Sequence, residues 1–386
     1  MASRVRHRGV AIGLVAALVA VGGPGLAQRS AAPPRVTAPV AAGTLPAGDG
    51  GAVLRAALAA LPDVGAADHA IVSFVDHAAV RAGGAAAQTW RGLQVGIGVI
   101  DVIRPSDAEA VQAATGVALS DVVSTLVVDL SVPSFLTLVR GRIAADDVDA
   151  ALSARGYAPV AGDGARRWCG PRGCDGGFDI DVANRDDAFA LFGGVLGRSF
   201  AAALSDDLLT VGPAAEALDL VLATSAGLAP SLLARPEVAA LVDALDVDAV
   251  VRQAWLPLGG TAALATPLGA RSVLFADARR GGDEWLVVAA AFAASADAEA
   301  FAAGALAALG LAGDVDAAAG TLQAALRDRA TDAVVDRVDF HGLQVVRVVL
   351  VRPFPDGVGT PQARPAELLR VMLAGVTRFA VPWAAR

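Results

Sequence analysis

Apolar and polar positions alternate along most of this chain in short blocks whose lengths suit strands and helices. Gly51 to Leu61, GAVLRAALAAL, has the spacing of an amphipathic helix, and Pro62 stops it. Strand-like, β-branched runs follow at Ala70–Phe74 and Leu93–Ile100, with a helix over Pro105–Ala114. VVSTLVVDL at 122–130 suits a buried strand or a helix end equally, and FLTLVRGRI at 135–143 reads as a strand. The helix at 145–157 has aspartates at its start and Gly156 at its end, the polarity a helix dipole favours.

Farther on, Ser199–Leu204 and Leu208–Val211 form an expected hairpin about Ser205, Asp206 and Asp207. Pro213 opens a helix, AAEALDLVLATS, and Pro236 opens another, EVAALVDAL. From about residue 245 the same kinds of element recur. Strands are expected at 272–278 and 285–292, a helix at 297–310, a hairpin at 334–351 turning at Asp339–Gly342, a helix at 366–373 and a strand at 378–381. GRIAADDVDAALSARGY at 141–157 and AFAASADAEAFAAGALAALG at 291–310 both place an acidic helix start behind an apolar strand. The pattern predicts an α+β protein of two related lobes, 51–245 and 246–386, each a mainly antiparallel sheet covered by helices on one side. One continuous sheet wrapped by helices is the architectural alternative.

The amino end has a different pattern. Arg4, Arg6, His7 and Arg8 precede an apolar stretch from Gly9 to Val21, and GGPGLA ends at Ala27 with small residues where signal peptidase requires them. The stretch is shorter than the ~20 residues of a comfortable span. Residues 1–27 are therefore expected to be a signal peptide and 28–50, rich in proline, alanine and glycine, a flexible lead-in. An uncleaved amino-terminal anchor is the alternative. Cleavage removes three arginines and no acid, taking the net charge from −8 to −11. The expected location is secreted or periplasmic, with no stable membrane span after cleavage.

Composition then removes several functions. All 31 basic residues are arginine, so lysine Schiff-base chemistry is excluded. An acidic chain without basic clusters also argues against nucleic-acid binding. No cofactor motif is present: the glycine pairs at 193–194 and 259–260 form neither G-x-G-x-x-G nor a phosphate loop. Cys169 and Cys174, in RRWCGPRGCDGG, are expected to form a local structural disulfide in an oxidising compartment. Free thiols, redox catalysis or metal binding are the competing readings, and four intervening residues do not match the C-x-x-C spacing of redox enzymes.

Ser73, Asp76 and His77, with His69 just upstream, supply the residue types of nucleophilic hydrolysis. Ser73 lies in a strand rather than in a strained G-x-S-x-G elbow, so structural roles are expected, and the histidines lack metal-binding i, i+4 spacing. His341 suits a turn, and the aspartate pairs 146–147, 186–187 and 206–207 suit helix starts and turns better than a calcium loop. Trp90, Trp168 and Trp255 are candidates for exposure in a ligand groove, whereas Trp285 and Trp383 are expected in the core. No catalytic, cofactor-binding or metal-binding residue is assigned. The expected function is a non-catalytic binding or envelope-associated protein, contacting a small apolar ligand or an envelope protein. The alternative is a secreted hydrolase assembled from distant loops.

Overall fold

In this computed structural model the described residues are 35–36, 51–63, 71–82, 108–129, 135–160, 164–179, 198–245, 249–258, 269–308 and 332–353. Their strands are β1 (Arg35–Val36), β2 (Ile71–Asp76), β3 (Val122–Asp129), β4 (Phe135–Gly141), β5 (Ala158–Val160), β6 (Arg166–Cys169) and β7 (Ala201–Ser205). The remainder are β8 (Leu208–Gly212), β9 (Val250–Pro257), β10 (Ala270–Arg280), β11 (Asp283–Phe292), β12 (Asp332–Phe340) and β13 (Leu343–Pro353). The helices are α1 (Ala52–Ala60), α2 (His77–Ala82), α3 (Ala108–Thr115), α4 (Ala145–Ser153), α5 (Ala215–Ser225), α6 (Pro236–Asp243) and α7 (Ser295–Ala308).

Local chemistry accounts for many of these boundaries. Pro236 occupies the first turn of α6, where its missing N–H needs no partner. Gly156, at φ +81°, closes the end of α4 while the Tyr157 N–H donates to the Leu152 carbonyl at 3.0 Å. The β12–β13 turn is His341–Gly342, with both φ values positive at +52° and +75°. That combination supplies the twist a two-residue hairpin needs. The expected strand at 93–100, the helix at 366–373 and the strand at 378–381 lie outside the described residues, as do the signal peptide and most of the lead-in.

The protein is α+β, as its pattern predicts, and the sheet is mainly antiparallel. All strands among the described residues join in a 13-stranded sheet ordered β1-β12-β13-β11-β10-β9-β2-β3-β4-β8-β7-β6-β5. Among the described strands only the β1–β12 pair is parallel. Strands from either side of residue 245 therefore share one sheet, where separate sheets were expected. The join is the antiparallel β2–β9 pair, registered from Ile71 opposite Pro257 to Val75 opposite Gln253.

Helices cover both faces, where cover on one side was expected. The reason lies in the strands: β8 is buried throughout and β11 from Leu286 to Phe292, so alternate side chains on both faces require apolar partners. On one face, Leu54 and Leu58 of α1 and Val238 and Leu241 of α6 pack with Phe74, Leu126, Leu256 and Leu274. Toward the β7 end, Leu218 of α5 packs with Ala201 and Ala203. On the opposite face, Ala298 and Ala305 of α7 cover Phe275, Val288 and Phe292. Val111 of α3 and Val148 and Leu152 of α4 cover Val139, Leu209 and Val211.

The order reads alike outward from the β2–β9 seam. One direction runs β3, β4, β8, β7, and the other runs β10, β11, β13, β12. In each direction a hairpin leads to a helix, α4 or α7, and a later hairpin, β7–β8 or β12–β13, pairs its second strand back on the first, with β5 and β6 coming between on the α4 side. The register continues the correspondence. From Ser73 it steps through Val127, Thr137, Val211 and Ala202, and from Trp255 through Phe275, Val288, Val348 and Val335.

Candidate functional site

The β2–α2 junction holds the strongest catalytic residue types of the sequence. Asp76 is buried at the end of β2, and its Oδ1 accepts the Ala79 N–H at 2.8 Å. This is an N-cap, a carboxylate satisfying the first turn of α2. His77 begins α2, and its Nε2 lies 2.5 Å from Thr125 Oγ1 on β3. Ser73 stands farther back in β2, opposite Val127 and Trp255. His77 thus meets the hydroxyl of Thr125 while Asp76 caps α2; His69 lies outside the described residues. Thr125 escaped notice because a hydroxyl inside VVSTLVVDL looks like an ordinary strand residue.

Cys169 and Cys174 form the expected disulfide. Gly173, at φ +88°, turns the loop between them, and its N–H donates to the Gly170 carbonyl at 2.9 Å. Gly170 is closely approached by a side chain as well. A Cβ there would fall 1.9 Å from Ser199 Oγ. Just before the loop, Trp168 is fully buried and its indole Nε1 donates to Asp149 Oδ1 at 2.5 Å. Just after it, Asp175 Oδ1 accepts the Ala215 N–H at the start of α5 at 3.1 Å. Sulfurs joined to one another are not thiolate ligands, so the oxidised pair offers no metal site.

The remaining aspartate pairs serve helix starts and turns where they are described. Asp146 lies in the first turn of α4 and pairs with Arg166 at 2.8 Å. The hydrogen bond from Arg166 to Asp146 is the leading cause that raises the already high guanidinium pKa. Asp206 has φ +49° in the β7–β8 turn, and Asp207 pairs with Arg140 at 3.3 Å. Asp186 and Asp187 lie outside the described residues. Among the described residues no group of three or more acidic, histidine or cysteine side chains is arranged to hold a metal ion.

His341 has a partner that its turn position did not reveal. Its Nε2 lies 2.6 Å from Asp243 Oδ2 at the end of α6, and Arg55 of α1 pairs with the other carboxylate oxygen. Burial pushes the Asp243 carboxyl up, but the hydrogen bonds and charges of His341 and Arg55 outweigh it and hold the pKa below its ordinary value. Nearby, Arg347 of β13 pairs with Asp336 of β12 and donates to the Ala244 carbonyl beyond α6 at 2.8 Å. A cation among the last carbonyls of a helix is favoured by the helix dipole. Together these groups fasten α1, α6 and the β12–β13 hairpin.

A second buried charge cluster lies on β9, β10 and β11. Arg252 is 2.9 Å from Asp277 and 3.6 Å from Glu284, with all three side chains buried. Their visible signal is a charge inside an otherwise apolar strand, as in VVRQAWLP and SVLFADARR. A register shift of β9 against β10 occurs between Asp277 and Ala278, beside Arg252.

Trp168 and Trp255 are buried, which corrects the expectation that they face a groove; Trp90 and Trp383 lie outside the described residues. Trp255 packs on Phe275 with ring centroids 5.3 Å apart. Trp285 is only half-buried, and the Arg280 guanidinium lies 4.8 Å from its ring centroid. Below Trp285 a cavity of about 10 Å³ is lined by Leu245, Val251, Val287, Arg347 and Val349. That is room for no more than a single water. A larger opening, about 410 Å³, is a surface groove beside Ile143, Ala145, Arg166, Leu204 and Asp206. Its rim carries charge of both signs.

No known protein family matches the sequence, and no curated protein matches it. Among solved structures, crystal form I of TP0453 aligns over 83% of this chain and 96% of that one, at 8% identity and a TM-score of 0.35. A likeness that slight carries no argument about this chain's fold or function.

Proposed function

We propose that this is an exported, non-catalytic binding protein of the cell envelope, built from two related lobes, 51–245 and 246–386. The observation that carries the non-catalytic reading is the use made of the chemistry-bearing side chains. Asp76 caps α2, His341 and Asp243 fasten the helices to a hairpin, and Asp146 and Asp149 hold Arg166. The disulfide supports delivery to an oxidising compartment. No helix among the described residues is long and apolar enough to cross a membrane. An envelope protein is the favoured partner over a small apolar ligand, because the larger groove is open and bordered by Arg166 and Asp206. The matching outward order of strands about β2 and β9 supports relatedness of the lobes.

Crosslinking in intact cells, followed by mass spectrometry of the purified tagged protein, tests this reading. The expected result is a chain beginning at Gln28 and joined reproducibly to one envelope protein. A chain retaining residues 1–27 and located in the cytoplasm would overturn it.

One contact favours the second reading, a secreted hydrolase. His77 Nε2 is within hydrogen-bond reach of the Thr125 hydroxyl, the relation of a base to a nucleophile. Ester or amide hydrolysis lost in both His77→Ala and Thr125→Val, with each variant still folded, would establish that reading.

A further inference from the structure

The Cys169–Cys174 loop sits between two parts of the fold that it ties together. Cys169 ends β6, whereas Cys174 packs at the cluster formed by Ala201, Ala203 and Leu218 under α5. The next residue, Asp175, supplies the side-chain acceptor for the Ala215 N–H, and Ala214, at the cap position itself, makes no side-chain cap. Gly177 continues the connection through its N–H, which donates to the Pro213 carbonyl at 3.1 Å. A Cβ at Gly177 would fall 2.3 Å from Pro213 Cα, so the segment after the disulfide is seated directly against the approach to α5.

Helix α5 carries the connection onward. Beyond its end, the Leu232 N–H donates to the Leu61 carbonyl at 2.8 Å and the Asp63 N–H to the Pro230 carbonyl at 3.0 Å. Arg235 Nε donates to Asp63 Oδ1 at 2.7 Å. The disulfide, α5 and the end of α1 thus form one run of contacts along a single face of the sheet.

We propose that Cys169–Cys174 is a redox-sensitive latch whose reduction uncaps α5 and loosens its seat on β7 and β8. A dithiol reductant supplies the electrons. Its thiolate attacks one sulfur, the Cys169–Cys174 bond breaks, and a mixed disulfide forms. The second thiol of the reductant then displaces the remaining protein thiolate. Two electrons and two protons finish on Cys169 and Cys174, and the reductant leaves as a disulfide. Cys174 is half-buried while Cys169 is buried, so the residue in the α5 cluster is the more accessible of the two. The chain has only these two cysteines, so reduction cannot be diverted into disulfide exchange within the chain. The short loop makes the effect local, since closing few residues constrains little of the unfolded chain.

Hydrogen exchange of the full chain, oxidised and after dithiothreitol, tests the latch. The expected change is about tenfold faster exchange in the first turn of α5 on reduction, the scale of a lost helix cap, with α7 unchanged. Equal exchange of α5 in both forms would overturn the proposal, and so would acceleration throughout the sheet. The double variant Cys169→Ser, Cys174→Ser should show the fast α5 exchange without reductant and no further response to it. A response that persists in this variant would sink the assignment. Asp175→Ala in the oxidised protein should accelerate the same turn with the disulfide intact, and unchanged exchange there would remove Asp175 as the coupling element.

Discussion

Ser73 stands directly opposite Trp255 where β2 meets β9, and from this pair the two sides of the sheet unroll in matching order. The pair is unequal in size. Trp255 fills its side of the seam and packs on Phe275, whereas Ser73 contributes a small, half-buried side chain. Trp255→Ala should therefore cost about 3–5 kcal/mol through lost burial and a cavity, and Trp255→Phe much less. Urea titration checks this: a Trp255→Ala midpoint equal to that of the parent protein would show that the seam does not depend on the indole.

The Asp243 fastening makes a pH prediction. Its carboxyl titrates below its ordinary value of 3.8 in the folded protein, so the unfolded state takes up the proton first as pH falls. The stabilisation is fully present above 3.8 and is lost as pH drops through the folded value. Asp243→Asn should lower stability near neutrality by about 1–2 kcal/mol, the scale of charged hydrogen bonds at a partly exposed site. The difference from the parent should shrink in acid below the ordinary value. Denaturant midpoints across the acid range measure it, and a gap that widens with acidification would contradict the sign.

The parts legible from the chain were those governed by local periodicity and turn chemistry. The β10–β11 and β12–β13 hairpins announce themselves by apolar runs about Gly281–Gly282 and His341–Gly342, and α7 by its acidic start behind β11. β9 was missed because Arg252 and Gln253 interrupt its apolar run beside a register shift. β5 and β6 were missed because they are short and polar or exposed at the sheet's end. Union in one sheet depends on pairing Ile71–Val75 with Gln253–Pro257, a long-range register that neither segment expresses alone. The same distance hid the partners of the candidate site residues. Asp76 and His77 are adjacent in sequence, but Asp76 turns to its own helix while His77 reaches Thr125 on another strand.

Arg252 is the test of how buried charge is tolerated in this sheet. Its guanidinium lies between Asp277 and Glu284, so removing it leaves two carboxylates in the interior without that cation. Arg252→Ala should cost about 3–5 kcal/mol, whereas replacing Arg252, Asp277 and Glu284 together by apolar residues of similar volume should recover much of that loss. Thermal unfolding of the single and triple variants separates the cases. If the triple variant is no more stable than Arg252→Ala, the penalty comes from packing rather than from uncompensated charge.

The last prediction concerns the proposed lobes. Alone, 51–245 would lack the β9 partner of β2 and the β9–β10 side of its apolar cluster, and 246–386 would lack β2, α1 and α6. Both lobes would then expose a strand edge beside apolar side chains, the arrangement that drives association. Produced together as separate chains, they should form an equimolar complex through the β2–β9 seam, while each alone aggregates. Placing Pro at Phe74 should weaken this complex, because the residue loses its backbone N–H and sits in a strand paired on both sides. Size-exclusion chromatography of the coproduced fragments reads the result. Two separately monomeric, folded fragments would show that the seam joins independent domains and is not required to complete either core.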